Sequence, residues 1–329
     1  MARIAFFGTP DFAKPALLKL WQFCKAHGHE LVLVVTQPDT KQGRNQHVSF
    51  PPVKQLAVEL HLPVAQPQSL RKNTPDGAVF YDQLKALNLD LVVVVAYGKI
   101  ITQRLLDLPT RGFVNIHGSL LPRLRGAAPI QRSIMLGFKE TGVCLMDMVL
   151  GLDEGDVWAE RKTPILASDT SATLSARLSA IGASLLLEHL PKLLSGGLTR
   201  SVQGEGHDYA RMLSKEEGQL SFHKPGAVLS CEVRGLDPWP ASFAVIDGRR
   251  VKFFDSFFVP LPKTGDTPWL VSPDCPPGTV VSMKPFLGVR VVDGVIYFQS
   301  LQVEGRKKLR AFEALQGLKL AVGEQLLGD

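Results

Sequence analysis

At 329 residues, with 45% apolar and 21% charged side chains, the chain has the composition of a soluble globular protein long enough for more than one core. Its net charge of +6 permits a polyanionic partner without demanding one. No apolar run approaches the roughly 20 residues of a membrane helix. The first residues enter a strand at once, so neither a leader peptide nor a membrane partner is expected, and a cytoplasmic location follows. Cys24, Cys144, Cys231 and Cys275 are far apart and form no C-x-x-C pair, which predicts reduced structural thiols.

Ile4 to Phe7 reads as a short strand, and Asp11 as a helix cap. Leu17, Leu18, Trp21 and Cys24 then give the spacing of an amphipathic helix. His27-Gly28-His29 fits a helix end and turn better than a metal site, since no further ligand follows nearby. Leu31 to Thr36 is the next strand. Strand, helix, strand at this spacing means a right-handed crossover in a parallel sheet. The G-x-G-x-x-G pattern is missing after the first strand, which disfavours a dinucleotide site while keeping the doubly wound layout. Residues 37 to 52 are polar and aperiodic, with Lys41, Gly43 and Arg44 supplying charge and flexibility. They predict a structureless loop that contacts substrate.

Val53 to His61 looks helical, Val64-Ala65 extended, and Asp76 to Leu87 helical. Leu91 to Ala96 is an apolar run that reads as a fully buried strand. After a short helix near Gln103 to Leu108 comes the stretch that carries chemistry, F-V-N-I-H-G-S-L-L-P-R-L-R-G-A-A-P-I-Q from Phe113. Asn115 and His117 alternate with Ile116, so on an extended chain both point to one side. That places an amide and an imidazole at the carboxyl end of a strand, where open α/β sheets bind ligands. Ala127 to Leu136 should form a helix and Val143 to Val149 a strand, ending in G-L-D-E-G-D, Gly151 to Asp156. Its acids do not continue at calcium-loop spacing, so a carboxylate presented beside the histidine is the better reading than a metal loop. Thr163 to Ala167 extends, and Thr173 to Leu194 is a long leucine-rich helix.

Residues 1–195 thus read as one α/β domain with a doubly wound, mainly parallel, Rossmann-like sheet, and 196–214 as a linker. From 215 to 329 the texture changes to short β-rich runs: Ala227 to Val233, Ser242 to Ile246, Val251 to Phe254, Thr279 to Ser282, Val289 to Val292 and Val295 to Gln299. Turn signals separate them, which predicts a smaller antiparallel, OB-like barrel. Pro260 to Pro277 reads as a surface insertion. Lys and Arg outnumber Asp and Glu by only one from residue 215 onward, and Arg306, Lys307, Lys308 and Arg310 form the basic cluster there.

An asparagine donor, a histidine and a following carboxylate suit direct attack on a carbonyl, with Asn115 and protonated His117 facing the oxygen that gains charge. No serine lies in a nucleophile elbow, and Cys144 alone among the cysteines follows closely, so covalent acyl transfer has little support.

The central motif with G-L-D-E-G-D resembles the folate-dependent formyltransferases, nearest to the members that act on methionyl-tRNA. The likeness takes in F-F-G-T-P-D-F at Phe6 to Phe12, T-Q-P-D with Gly43-Arg44, V-V-V-A-Y-G at Val93 to Gly98, L-S-K-E-E at Leu213 to Glu217, and P-W-P at Pro238 to Pro240. This resemblance implies a catalytic trio of Asn115, His117 and Asp153, a folate site lined by Ser119, Leu120, Leu121 and Pro122, and no metal. It implies 10-formyltetrahydrofolate as donor and the α-amine of methionine on initiator tRNA as acceptor, in the service of translation initiation. The loop with Gly43-Arg44 is expected to enter the tRNA acceptor end, with Lys41 and Arg44 as contacts and the second domain as a further RNA surface. A monomer is expected. Leu124 stands where relatives commonly have an aromatic, and Asn45-Gln46-His47 makes the loop less basic. The alternatives are an amino-sugar nucleotide formyltransferase using the same donor and a non-catalytic RNA-binding protein.

Overall fold

The computed structural model describes residues 1–42, 47–206, 208–261 and 275–326. In chain order the elements begin with β1 (Arg3–Gly8), α1 (Lys14–His27), β2 (Glu30–Val35), β3 (Thr40–Gln42), β4 (His47–Ser49), α2 (Pro52–Glu59), β5 (Val64–Ala65), α3 (Pro75–Ala86), β6 (Leu91–Val95), α4 (Gln103–Leu106) and β7 (Phe113–His117). They continue with β8 (Arg125–Gly126), α5 (Pro129–Met135), β9 (Glu140–Asp147), β10 (Val157–Pro164), α6 (Ser171–Ser195), β11 (Tyr209–Ala210) and α7 (Gly226–Gly235). The last are β12 (Ser242–Ile246), β13 (Arg249–Pro260), β14 (Val280–Ser282), β15 (Leu287–Val291), β16 (Gly294–Val303), β17 (Leu309–Arg310) and α8 (Ala311–Ala314).

The chain divides into two compact units, the first comprising residues 1–126, 140–164 and 175–210, the second residues 127–139, 165–174 and 211–329. In the first, a seven-stranded sheet runs β10-β9-β7-β6-β1-β2-β5. The order reverses at β1 as a doubly wound sheet requires, with β1, β2, β5, β6 and β7 parallel and β9 and β10 added antiparallel at one edge. The period-two pattern of the strands splits the core between two faces. Ala5, Phe7, Val92, Val94 and Phe113 pack with Phe80 and Leu84 of α3 and Leu105 of α4. On β7, Asn115 and His117 continue the Phe113 row, while the Ile116 side chain faces α6. Gly182 of α6 permits this approach, since a Cβ there would stand 2.6 Å from Ile116 Cγ2. In α1 the buried stripe is Leu17, Leu20 and Cys24, and Leu18 is exposed. Gly28 ends that helix at φ 67°, the left-handed cap expected of it.

Two local readings need correction. Residues 37 to 52 are not without structure, because β3 and β4 pair as an antiparallel ribbon, Thr40 opposite Ser49 and Gln42 opposite His47. Its root is fixed by Asp39, which accepts from Lys54 at 2.5 Å and Gln66 at 2.8 Å. The Ala227 to Val233 run is the helix α7, not a strand. Leu229 and Val233 are buried four residues apart on one helical face, a spacing that outweighs the β propensity of two valines.

The second unit is built on an antiparallel sheet in the order β12-β13-β16-β15-β14, with β17 beside β16. Among the described residues its hydrogen-bonded ladder is a path from β12 to β14. Phe253, Val289, Ile296 and Phe298 form its core with Leu229 and Val233 of α7. The proline-rich stretch from Pro260 falls largely on residues 262–274, outside the described residues.

Candidate active site

The site lies within the first unit, at the carboxyl end of β7. Asn115 and His117 are 9% and 5% exposed, so each side chain must find a partner within the protein or a ligand. Asn115 has no side-chain hydrogen bond among the described residues, and its amide is available to a ligand. His117 is held on both sides. Its Nε2 lies 3.1 Å from the carbonyl oxygen of Leu124, an acceptor only, so that nitrogen carries the hydrogen. Its Nδ1 lies 3.6 Å from Asp153 Oδ2, ion-pair range for a protonated ring. Of the acids in the Gly151 to Asp156 turn, Asp153 is thus brought to the histidine as the sequence suggested.

Both supports sit in unusual backbone. Leu124 and Asp153 have φ of 58° and 54°, the left-handed region that L residues other than Asn and Asp rarely enter. Asp153 Oδ2 also accepts the Gly126 N–H at 2.9 Å, which fixes the carboxylate near the imidazole. Gly155 keeps the turn tight, because a Cβ there would fall on the carbonyl oxygen of Asp147. Asp147 anchors the base of the turn, accepting from Trp158 Nε1 at 2.7 Å and Arg200 Nη1 at 2.5 Å. Burial nevertheless pushes its carboxyl above the usual value.

The segment after β7 is equally constrained. Ser119 is buried and its hydroxyl donates to the Arg123 carbonyl at 2.7 Å. Leu120 is half-buried, with its methyl Cδ2 against the face of Gly142. The Leu121 N–H donates to Cys144 Sγ at 3.4 Å. Burial pushes the Cys144 thiol up to about 12, so it remains protonated and is no nucleophile at neutral pH. Leu121 and Pro122 line a cleft of about 220 Å³ with Trp158, Glu160 and Gln203. Lys41 belongs to β3, its backbone paired with Val48, and Arg44 lies outside the described residues.

Three contributors carried no usable sequence signal: the Leu124 carbonyl, the Gly126 amide and the side chain of Gln203, whose Nε2 donates to the Asp153 carbonyl at 2.9 Å. The first two are backbone groups that every residue possesses. Gln203 stands in a polar stretch with no period.

Two family models cover most of the chain: formyl transferase over residues 2–190 and formyl transferase, C-terminal domain, over residues 212–319. Methionyl-tRNA formyltransferase of Janthinobacterium sp. (strain Marseille) is 42% identical over 323 residues, covering 97% of this chain and 98% of that protein. The protein of the same name from Myxococcus xanthus is 42% identical over 326 residues, covering 98% and 97%. Among solved structures, an N-formyltransferase from Helicobacter canadensis, in complex with folinic acid and dTDP-3-aminofucose, superposes with a TM-score of 0.66. It covers 94% of this chain and 100% of its own at 15% identity, a likeness of fold. With both family domains present and full-length relatives at this identity, the chain belongs to the methionyl-tRNA formyltransferase family.

Proposed function

We propose that the chain transfers the formyl group of 10-formyltetrahydrofolate to the α-amine of methionine on initiator tRNA, with Asn115, His117 and Asp153 as the reacting constellation. The observation that carries this reading is the end-to-end likeness to enzymes of that name, 42% identical over 97% of the chain. The geometry supplies the chemistry. An α-amine is neutral often enough near pH 8 to attack. As it adds to the formyl carbon, negative charge grows on the formyl oxygen. The unpaired Asn115 amide is the donor on the β7 face that would meet it, and the His117 ring, when protonated, would add its positive charge. Nε2 is committed to Leu124, so the imidazole cannot rotate away. Asp153 Oδ2, 3.6 Å from His117 Nδ1, is the carboxylate beside the proton that passes from the attacking nitrogen toward the departing folate nitrogen.

The cleft bounded by Leu121, Pro122 and Trp158 gives the flat body of a folate apolar and aromatic surface, which supports the Leu121-Pro122 part of the proposed binding stretch of Ser119, Leu120, Leu121 and Pro122. Lys41 of β3 and Arg44 are the proposed contacts to the tRNA acceptor end, and the unit from residue 215 a further RNA surface. No described helix is long and apolar enough to cross a membrane. The likeness to methionyl-tRNA formyltransferases supports action in the cytoplasm, and a monomer is the oligomeric state proposed.

A formyl-transfer assay tests the reading, comparing methionyl-initiator tRNA with a 4-amino-sugar nucleotide at equal donor concentration. Formylated methionyl-tRNA as sole product is expected. Formylated sugar alone would overturn the acceptor, and no transfer to either would leave a binding protein.

A further inference from the structure

We infer that Gln203 is a positioning residue of the active site, and that residues 201–206 and 208–210 are the clasp through which it sets the geometry around His117; this rests on the reading of His117 and Asp153 as reacting groups. The Gln203 carboxamide uses its whole hydrogen-bonding capacity. Its Oε1 accepts from Arg125 Nε at 3.0 Å and Nη2 at 2.9 Å. Its Nε2 donates to the carbonyl of Asp153 at 2.9 Å and that of Gly155 at 2.6 Å. The orientation is fixed by chemistry, since a guanidinium offers donors only and carbonyls accept only; a flipped amide would face unmatched groups at all four contacts.

The backbone around Gln203 makes the same connection. Ser201 and Val157 exchange hydrogen bonds at 2.9 and 2.8 Å, just beyond the Asp153 turn. Leu124 donates its N–H to the Asp208 carbonyl at 2.8 Å, and Tyr209 and Ala210 pair in parallel with Arg125 and Gly126. Residues 201–206 and 208–210 therefore grip both groups that face His117: the Leu124 carbonyl on Nε2 and Asp153 on Nδ1. Both gripped residues hold a left-handed φ. For a leucine such backbone persists only where its surroundings impose it. Gln203 is the side chain that joins the two loops, with Arg125 beside Leu124 at one end and the Asp153 turn at the other.

Two substitutions isolate the role. Gln203→Glu keeps the shape and the acceptors for Arg125 but puts an oxygen against the two carbonyls. Gln203→Leu keeps much of the volume and removes all four bonds. Each is expected to lower kcat for formyl transfer to methionyl-initiator tRNA by about 10- to 100-fold, the cost of displacing a reacting group by a fraction of an ångström to one ångström. KM for 10-formyltetrahydrofolate and for tRNA should stay within about 3-fold, because the change falls on the reacting groups rather than on binding. Placed on an Asp153→Asn background, Gln203→Leu should add little further loss, since groups that act as a unit are not additive.

A wild-type kcat for Gln203→Glu would overturn the inference, whatever the fate of Gln203→Leu. A loss confined to KM for folate would also overturn it, by limiting Gln203 to its place in the wall of the cleft. So would a full multiplicative loss on the Asp153→Asn background. Failure of the underlying reading looks different: Asp153→Asn alone would then turn over normally. If Asp153→Asn is impaired and the Gln203 variants are not, the positioning role alone falls.

Discussion

Both ring nitrogens of His117 face oxygen atoms, and only the imidazolium has a hydrogen for each. This arrangement suits a group that must lend positive charge to a growing oxyanion more than one that must accept a proton. His117→Ala is therefore expected to lower kcat by about 10²- to 10⁴-fold. Its KM for methionyl-tRNA should change by no more than a few-fold, because the lost interaction belongs to the transition state. Steady-state kinetics with both substrates varied will read the split; a rise in KM with kcat intact would remove His117 from the chemistry. At this scale the placement of the side chains was legible in the sequence. Asn115 and His117 stand two apart on a strand, and strand period places them together. The Leu124 carbonyl was not legible, because nothing in a leucine announces that its backbone will turn to φ 58° and hold an imidazole.

Among elements, the long periodic ones were readable and the short ones depended on tertiary partners. The predicted helix over Thr173 to Leu194 is present as α6, since its leucines recur at helical spacing across 25 residues. α7 has only ten residues, too few for its period to outweigh the valines in a reading of the sequence. The L-S-K-E-E stretch shows how such short elements are secured in the second unit. Glu217 receives a forked contact from Arg132 of α5, at 2.5 Å to Oε2 and 3.0 Å to Oε1. Arg132 also donates to the Arg211 carbonyl at 3.1 Å. The Arg132 hydrogen bonds hold the Glu217 carboxyl below its usual value of 4.5. A depressed carboxyl contributes stability that is present above the unfolded-state value and is lost as pH falls through the folded one. Glu217→Gln should accordingly cost about 1–2 kcal/mol at pH 7, discounted for partial exposure. The difference from wild type should shrink below about pH 4.5 as the wild-type carboxyl protonates. Urea midpoints of the two proteins at pH 7 and pH 4 measure it, and an equal gap at both values would assign the loss to packing instead.

For the whole molecule, the sequence yielded the α/β sheet followed by an antiparallel unit because strand–helix alternation gives way to closely spaced short strands after residue 215. It did not yield how residues 201–210 are used. A polar, aperiodic stretch has no core face to betray its position, and its value lies in backbone pairs with Leu124, Arg125 and Val157. Net charge acts at this scale too, and +6 is modest for a protein that engages a polyanion. If phosphate contacts by residues such as Lys41 and Arg44 carry tRNA affinity, each releases counterions. The logarithm of affinity then falls linearly with that of salt, by about 0.7–0.9 per contact. With three or four contacts, raising salt from about 50 to 200 mM should lower kcat/KM for methionyl-tRNA by roughly 20- to 150-fold. kcat at saturating tRNA should move far less, since the proposed reacting groups Asn115 and His117 are buried and poorly screened. Arg44→Ala should reduce the slope by about one contact without altering kcat. A kcat/KM indifferent to salt would mean that shape and the methionyl end, rather than phosphate, select the substrate.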